Sequence, residues 1–298
     1  GWMTRTGPVE HRFAAPAGEL CWFEWGQAGA GPTLLLLHAT GFHARCWDQV
    51  VGALPDGVHV IAPDLRGHGR SFRPVSIHDW SRVADDVIAL VAGLCARPVF
   101  AIGHSMGGFL AALTASQLPG RFSRLLLVDP VILPPERYCH ADGATVPDPS
   151  AHPVSRRRNV WDSAEQMIAR FADREPYCDW KPEVLEDYCR YGLVPAEAGG
   201  FELACPPHLE ASAYLGNADN DIYPRIGAIE CRVTILRARN GERRSPMDFS
   251  VSPTWPELAN RFRNGRDMQW PDLSHFIPME APERLAALIV GQLAEQQG

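Results

Sequence analysis

The amino-acid sequence predicts an α/β fold, in which a mostly parallel sheet carries helices on both faces. Short aliphatic runs alternate with amphipathic helical segments along most of the 298 residues. In addition, the residues Gly103-His104-Ser105-Met106-Gly107 lie between one such run and a helical segment. Strands that alternate with helices are joined by right-handed crossovers, and these build a parallel sheet.

The predicted strands are short and strongly aliphatic, as expected for strands that are covered on both faces. The earliest of them, at 19–25, is predicted to be antiparallel. The predicted strands cover residues 19–25, 32–37, 58–62, 99–102, 125–128, 233–236 and 267–270. Apolar residues recur at helical spacing between them. The predicted helices cover residues 80–94, 109–118, 163–172, 182–191, 256–262 and 282–295.

The alternation stops between Pro134 and Ala228, where the chain is rich in proline, arginine and aromatic residues and has no aliphatic strand. We interpret this stretch as a helical cap inserted into the sheet domain. Residues 1–133 and 229–298 then form the two parts of the core, and residues 134–228 form the cap. Such an insertion is expected over the carboxyl ends of the strands, where parallel sheets bind ligands.

The charge balance excludes several classes of partner. The 28 Lys and Arg residues against 35 Asp and Glu give a net charge of −7, and an acidic surface does not suit a nucleic-acid partner. The run Arg156-Arg157-Arg158 is the basic cluster of the sequence, and we expect it to be solvated. No apolar run approaches the roughly 20 residues of a membrane-spanning helix, so no membrane partner is expected.

The eight cysteines are scattered and form no C-x-x-C pair. A disulfide framework is typical of short secreted chains, so reduced thiols and a cytoplasmic protein are predicted. The first residues, Gly1-Trp2-Met3-Thr4-Arg5, also lack the apolar core of a signal peptide. The cysteines are residues 21, 46, 95, 139, 178, 189, 205 and 231.

Ser105 is the candidate nucleophile. A strand-to-helix turn this sharp forces the serine into a strained backbone conformation. Side chains two positions before and after the serine would clash, which explains Gly103 and Gly107. The turn holds the hydroxyl clear of the sheet, and the helix that begins there offers its N–H groups to a developing anion. We therefore interpret the pattern as a nucleophile elbow.

A serine is a poor nucleophile until a base takes its proton, so a histidine is required from elsewhere in the chain. His275 is the preferred candidate among the eleven histidines, because it lies in the loop between the last predicted strand and the last helix. That loop leaves the sheet at the same edge as Ser105. His104, beside the serine, is predicted to pack between helix and sheet and to be structural.

The third member is expected to be a carboxylate that fixes the tautomer of the histidine. Asp129 directly follows the strand at 125–128, at the correct edge, and is preferred. Glu242 and Asp248 stay open as alternatives, although they lie farther beyond the strand at 233–236. An Asp-Pro pair is also ordinary turn chemistry, so capping of the following turn is the competing interpretation of Asp129.

An acyl-transfer enzyme also needs N–H donors for its tetrahedral oxyanion. Met106, directly after the nucleophile, is expected to supply one of them. The second is expected from the loop His38-Ala39-Thr40-Gly41-Phe42, with the N–H of Thr40 preferred and that of Ala39 second. His38 is predicted to brace this loop.

Four stretches together resemble the α/β-hydrolase superfamily over essentially the whole chain. They are Leu37-His38-Ala39-Thr40-Gly41-Phe42 followed by Trp47, Asp64-Leu65-Arg66-Gly67-His68-Gly69-Arg70-Ser71, the turn at 103–107, and Ser274-His275. The resemblance implies an eight-stranded, mostly parallel sheet with a cap domain. It also implies Ser105 as nucleophile and His275 as base.

The sequence departs from this superfamily pattern at two points. Relatives commonly carry His-Gly where this chain has His38-Ala39, and the aspartate that usually follows the seventh strand is missing. An acid after the sixth strand resembles the haloalkane dehalogenase branch, whose nucleophile is an aspartate. Ser105 therefore argues against dehalogenation and epoxide opening.

The predicted function is hydrolysis of carboxylic esters by a Ser105–His275–Asp129 triad, with no metal or other cofactor. Aromatic residues of the cap favour a moderately hydrophobic ester or lactone over a sugar or a phosphate. Hydrolysis of lactones, thioesters or carbon–carbon bonds, and cofactor-free perhydrolysis, stay open on the same triad. A catalytically silent small-molecule receptor is the alternative of another class. The aromatic residues are Trp161, Phe171, Tyr177, Trp180, Tyr188, Tyr191, Phe201, Tyr214 and Tyr223.

Overall fold

A computed structural model describes residues 6–29, 31–138 and 146–296 and confirms the predicted α/β fold. The predicted core includes residues 1–5 and 297–298, which lie outside these ranges, and so does Cys139. The strands are β1 (Val9–Ala15), β2 (Gly18–Trp25), β3 (Thr33–Leu37), β4 (His59–Pro63), β5 (Val99–His104), β6 (Phe122–Val128), β7 (Val160–Trp161), β8 (Leu193–Pro195), β9 (Phe201–Leu203), β10 (Arg232–Arg237) and β11 (Gly265–Gln269). The helices are α1 (Asp48–Gly52), α2 (Trp80–Leu94), α3 (Met106–Gln117), α4 (Ala164–Phe171), α5 (Pro182–Tyr191), α6 (Pro207–Leu215), α7 (Tyr223–Ile226), α8 (Ile277–Glu280) and α9 (Pro282–Gln296).

Within the described ranges, eight strands form one sheet in the order β1-β2-β4-β3-β5-β6-β10-β11. β2 is antiparallel to both of its neighbours, whereas the other neighbouring pairs are parallel. The register pairs Gly103 with Leu127, and Val128 with Leu236. β5, β6 and β10 therefore end side by side, so the residues that follow them meet at one edge of the sheet.

Helices cover both faces of this sheet. On one face, Leu35 of β3 shares a core with Leu110 of α3. On the other face, Leu36 of the same strand shares a core with Val50 of α1 and Ile289 of α9. Successive side chains of a strand point to opposite faces, so an aliphatic run such as β3 serves both cores at once. Truncating one such leucine to alanine typically costs about 2–5 kcal/mol of stability.

The sequence pattern predicts the buried elements better than the exposed ones. α2 has the predicted bounds, since its apolar spacing is regular and the side chain of Asp79 caps it, accepting a hydrogen bond from the N–H of Ser81 at 3.0 Å. β1 is not among the predicted strands, because it lies at the sheet edge with most side chains exposed and has no aliphatic run. The helix predicted at 256–262 is a single 3₁₀ turn at Leu258–Arg261.

The segment between β6 and β10 carries α4 to α7, but it also contains a small antiparallel sheet in the order β7-β9-β8. The helices agree with the predicted helical insertion, whereas the sequence does not predict this small sheet, since strands of two or three residues leave no aliphatic run. Trp161 and Trp180 of this segment share a core with Phe42 and Phe276, which follow β3 and β11. The segment thus covers the carboxyl edge of the sheet, while the exact extent of a separate cap domain stays a prediction.

The seven cysteines within the described ranges carry free thiols. Burial raises the pKa of both Cys21 and Cys189 to about 12, so these two side chains pack as protonated, unreactive groups. In the same ranges, no helix is both long enough and apolar enough to span a bilayer.

Candidate active site

Ser105 occupies a sharp turn between β5 and α3. Its backbone has φ of 60° and ψ of −119°, a conformation that a residue other than glycine adopts only under constraint. A Cβ atom on Gly103 would lie 2.1 Å from the carbonyl oxygen of Gly107. One on Gly107 would lie 2.1 Å from the carbonyl oxygen of Leu37. Only glycine therefore lets the chain approach itself closely enough to make this turn.

Three side chains form a continuous chain of hydrogen bonds at the carboxyl edge. His275 Nε2 lies 2.9 Å from Ser105 Oγ, and His275 Nδ1 lies 2.6 Å from Asp129 Oδ2. An ionised carboxylate only accepts hydrogen bonds, so Nδ1 carries the proton and Nε2 accepts from the serine hydroxyl. The exposed fractions are 7% for Ser105, 2% for His275 and 0% for Asp129. The arrangement can pass a proton from the hydroxyl to the imidazole with little competition from water.

Asp129 directly follows β6 and has a positive φ of 45°, which aspartate tolerates better than most residues. Its Oδ1 accepts hydrogen bonds from the N–H of Ala238 at 2.8 Å and from the hydroxyl of Ser252 at 2.5 Å. The hydroxyl of Thr254 lies at 3.3 Å from the same oxygen. These donors fix the plane of the carboxylate, so that Oδ2 faces His275.

The two alternative acids lie elsewhere in the loop after β10. Glu242 is exposed to solvent. Asp248 accepts hydrogen bonds from the N–H of Arg244 at 3.0 Å and the hydroxyl of Ser250 at 2.5 Å, and these bonds fold the loop back on itself. Within the described ranges, the side chain of His275 is hydrogen-bonded to Asp129 and Ser105 and to neither alternative.

His104 faces away from the serine hydroxyl. Its Nε2 donates a hydrogen bond to the backbone carbonyl oxygen of His275 at 2.8 Å. Burial, and then the neighbouring His275, lowers the pKa of His104 to about 3, so the ring stays neutral. It thereby ties the turn at Ser105 to the loop that carries His275, in agreement with the structural interpretation of this residue.

The loop after β3 lies beside the first turn of α3. The hydroxyl of Thr40 donates a hydrogen bond to Sδ of Met106 at 3.3 Å, so these two residues are in contact. In the described part of the chain, the backbone N–H groups of Met106 and Thr40 have no backbone acceptor. Both N–H groups are thus available to bind a negatively charged oxygen beside Ser105.

Two buried histidines hold this loop in place. Nε2 of His38 accepts a hydrogen bond from the N–H of Leu65 at 2.9 Å, and Nε2 of His68 accepts one from the N–H of Gly41 at 2.9 Å. Burial lowers the pKa of His38 well below its usual value and that of His68 to about 4, so each ring keeps the lone pair that accepts. The N–H of Gly41 is thus committed to His68, whereas the N–H groups of Thr40 and Ala39 have no backbone acceptor among the described residues. The choice between these two as oxyanion donors stays a prediction.

A cavity of about 920 Å³ opens between these loops and the segment that joins β6 to β10. Thr40, Gly41 and Phe249 line it on the side of the sheet, and the ring of Phe249 stacks on His275 with their centroids 5.3 Å apart. Ser105 is not itself part of the wall as far as the described residues define it. The aromatic residues that line it from the segment between β6 and β10 are Tyr177, Trp180, Tyr188 and Tyr214.

Comparison with known proteins identifies the family. A profile of the Alpha/beta hydrolase family matches residues 34–288. The chain belongs to the α/β-hydrolase family. Lipase LipV of Mycobacterium tuberculosis is 28% identical over 272 residues, which cover 89% of this α/β-hydrolase and 94% of the lipase. The structure of a thermophilic esterase from Thermogutta terrifontis, with malate bound, superposes with a TM-score of 0.68 at 26% identity and covers 97% of this chain and 100% of the esterase.

Another similarity is confined to part of the chain. The uncharacterized protein Rv2715 of Mycobacterium tuberculosis is 39% identical over 101 residues. The match covers 34% of this α/β-hydrolase and 30% of that protein, so it spans less than a third of the relative's length. This match therefore shows a shared stretch of sequence, and it does not support assigning an activity of that protein to this chain.

Several polar residues at the site of this α/β-hydrolase could not be predicted from the sequence. Ser252 and Thr254, which contact Asp129, lie in a loop without regular structure. Arg157 and Glu210 form an ion pair of 2.8 Å in the cavity wall. Only the spatial pairing identifies them, since they are far apart in the chain.

The expectation that the run at 156–158 is solvated is wrong for its central residue. Arg156 and Arg158 are exposed, whereas the side chain of Arg157 is 24% exposed and lines the cavity. A 3₁₀ turn ends at Arg156, and Arg157 has extended backbone angles. The chain thus leaves the 3₁₀ turn at this residue, and the Arg157 side chain points inward between two arginines that face solvent.

Proposed function

We propose that this α/β-hydrolase is a serine hydrolase that cleaves carboxylic esters through an acyl-enzyme. The observation that carries the proposal is the chain of hydrogen bonds from Ser105 Oγ through His275 to Asp129. A nucleophile, a base and a group that orients the base are the parts that acyl transfer requires.

In the first half of the reaction, Ser105 Oγ attacks the ester carbonyl carbon while its proton passes to His275 Nε2. Asp129 keeps the Nδ1–H in place and stabilises the imidazolium that forms. The carbonyl double bond opens to give a tetrahedral intermediate, whose negative oxygen accepts hydrogen bonds from the N–H groups of Met106 and Thr40. The intermediate collapses by expelling the alcohol oxygen, which takes the proton back from His275.

In the second half, water replaces the alcohol. His275 Nε2 takes a proton from the water as its oxygen attacks the acyl carbon, and the same two N–H groups hold the second oxyanion. Collapse breaks the bond to Ser105 Oγ, which recovers its proton from His275, and the carboxylic acid leaves. The chain returns to its starting state after one turnover.

The relatives and the cavity support an ester of moderate size as substrate. Two relatives that match nearly the whole chain carry the names lipase and esterase. A volume of about 920 Å³ lies within the range of small-molecule sites, and its aromatic wall favours a partly apolar substrate. A moderately hydrophobic ester or lactone therefore fits the site better than a sugar or a phosphate.

Labelling with a fluorophosphonate tests the nucleophile. Attack by an activated serine on phosphorus expels fluoride, so we expect one label per protein molecule, located at Ser105. Ser105→Ala should abolish labelling. Ser116→Ala is the matched control on the same helix, because the Ser116 hydroxyl donates to the carbonyl oxygen of Leu113, and it should label as the parent protein does. Folded protein that takes no label would instead indicate a silent receptor.

The bond type is tested with p-nitrophenyl esters of increasing acyl length, measured beside lactones and thioesters. We expect the highest kcat/KM for an ester of intermediate length. If a lactone or a thioester gives a higher kcat/KM than every ester, the proposed substrate class changes to that compound, and the proposed triad stays the same.

A further inference from the structure

The cavity wall formed by the segment between β6 and β10 contains a compact polar group, which we term the roof cluster: Arg157, Tyr177, Tyr188, Glu210 and Tyr214. Arg157 Nη1 donates to Glu210 Oε1 at 2.8 Å, and its Nη2 donates to the hydroxyl of Tyr177 at 2.5 Å and that of Tyr188 at 3.3 Å. Tyr214 lies near Glu210, whose charge adds to burial in raising the pKa of the Tyr214 hydroxyl. All five residues line the cavity, so the cluster faces the space that a substrate occupies.

The roof cluster carries no net charge but keeps hydrogen-bond donors to spare. The positive charge of Arg157 is balanced by the carboxylate of Glu210, which is 3% exposed. A guanidinium has five N–H donors, and three hydrogen bonds from Arg157 go to the described residues of the cluster. Burial raises the pKa of Tyr188 and of Tyr214 well above the usual value, so both hydroxyls keep their protons.

The cluster lies next to the proposed oxyanion site. A Cβ atom on Gly41 would lie 2.6 Å from Glu210 Oε2, so the carboxylate rests directly against this loop residue. Gly41 follows Thr40, and successive Cα atoms are about 3.8 Å apart. A group a few bonds from the carbonyl carbon of a bound ester therefore reaches the roof cluster.

We propose that the roof cluster binds an uncharged oxygen function of the substrate, such as a second carbonyl, a few bonds from the scissile carbonyl. This inference rests on the proposed function and names its substrate class. A plain alkyl chain in this place would strip water from the spare N–H of Arg157 and give no acceptor in return. A carboxylate would accept from Arg157 but would add a second negative charge beside Glu210 in a poorly solvated wall.

Three methyl esters of equal chain length test the inference: methyl hexanoate, methyl 5-oxohexanoate and monomethyl glutarate. They carry a methylene, a carbonyl and a carboxylate at the same distal position. Their kcat/KM is measured by acid release, and their Kd is measured by calorimetry on Ser105→Ala. We expect the oxo ester to exceed the other two by about tenfold in kcat/KM and in affinity, the effect of one hydrogen bond to a charged donor.

Arg157→Met should bring the ratio of oxo ester to hexanoate close to one. Arg156→Met is the matched control, since its side chain is exposed, and it should keep the parent ratio. A purely structural role of the cluster would change all three esters by the same factor. If Arg157→Met does not fold, the order of the three ligands on the parent protein and on Ser105→Ala decides the matter.

Failure of this inference is distinguishable from failure of the proposed function. Hydrolysis of all three esters without preference for the oxo ester overturns the inference and leaves the esterase proposal intact. A preference for glutarate overturns it in favour of an anion site. Binding in the expected order by Ser105→Ala, with no hydrolysis by the parent protein, supports the cluster assignment and rejects the esterase proposal.

Discussion

Asp129 at the sheet edge and Glu210 in the roof cluster are both buried carboxylates with a basic neighbour, at 2.6 Å from His275 and 2.8 Å from Arg157. Asp129 follows a strand end and accepts from the backbone N–H of Ala238, whereas Glu210 accepts from the side chain of Arg157. The imidazole beside Asp129 has two ring nitrogens, one that donates and one that accepts, so it can take a proton from one group and return it to another. The guanidinium beside Glu210 is always charged.

This difference between the two carboxylate pairs indicates what the sheet edge and the roof cluster can each do. A pair that includes an imidazole can move a proton during a reaction, so the sheet edge suits catalysis. A pair of fixed opposite charges can only orient a ligand or hold the fold, so the roof cluster suits recognition. Removing the carboxylate should therefore affect turnover at the sheet edge and stability in the roof.

Asp129→Asn is expected to have the largest effect on turnover. The amide would no longer hold His275 in the tautomer that accepts the serine proton, and kcat should fall by about 10⁴-fold while the fold persists. Glu242→Gln and Asp248→Asn are the controls, and both should stay near the parent kcat on a p-nitrophenyl ester. Near-normal turnover by Asp129→Asn would exclude this triad.

Gly107→Ala tests whether the sheet edge depends on backbone geometry. The new Cβ would lie 2.1 Å from the carbonyl oxygen of Leu37, so β3 or the turn must shift. We expect at least about 100-fold loss of kcat/KM, because displacing a reacting group by about 1 Å costs that much. Gly291→Ala in α9 meets no atom within 4 Å and should keep full activity, with stability higher by about 0.5–1 kcal/mol. If Gly107→Ala and Gly291→Ala have the same kcat/KM, the turn at Ser105 is not constrained in the way that we describe.

Glu210→Gln tests the stability half of the comparison. Arg157 would keep its charge without its partner, and the free energy of unfolding should fall by about 1–3 kcal/mol. The control is Glu202→Gln, since Glu202 pairs with Arg73 at a half-exposed site, and it should cost less than about 1 kcal/mol. Urea unfolding measures both values. A smaller cost for Glu210→Gln than for Glu202→Gln would contradict a tightly held roof cluster.

His43, in the loop after β3, is tied to the roof cluster, because its Nε2 donates to the backbone carbonyl oxygen of Tyr188 at 3.0 Å. Burial lowers its pKa from 6.5 to about 3. The unfolded chain therefore binds a proton at this residue below pH 6.5 that the folded chain refuses, so its contribution to stability is lost as the pH falls. Between pH 7.5 and pH 5, the parent protein should lose about 2 kcal/mol more than His43→Gln.

The measurement is urea unfolding of both proteins at the two pH values. His208→Gln, at an exposed position, should follow the parent protein across this range. Parallel losses in the parent and in His43→Gln would mean that His43 is protonated in the folded state as readily as in the unfolded one.

The sequence predicts the sheet and the groups at its strand ends because both follow local rules. An aliphatic run such as β3 indicates a buried strand, and the residues after Val128 and before α9 must then leave at the carboxyl edge. Ser105, Asp129 and His275 can be found in this way without knowing any long-range contact. Their catalytic roles stay predictions until the variants above are measured.

The roof cluster follows no such rule. Arg157 lies after a 3₁₀ turn and Glu210 on α6, and neither position belongs to an apolar period that could reveal its partner. The sequence does not predict β7 and β1 for related reasons. β7 has only two residues, and the side chains of β1 are mostly exposed. The specificity that we propose therefore depends on the part of this chain where local patterns carry the least information.

The register that ends β6 beside β10 has a consequence for the candidate acid. Ala238, the first residue after β10, donates its N–H to Asp129 Oδ1 at 2.8 Å. The orientation of this carboxylate therefore depends on the backbone of the neighbouring strand end, and a shift of β10 would disturb the site without changing any of its three side chains.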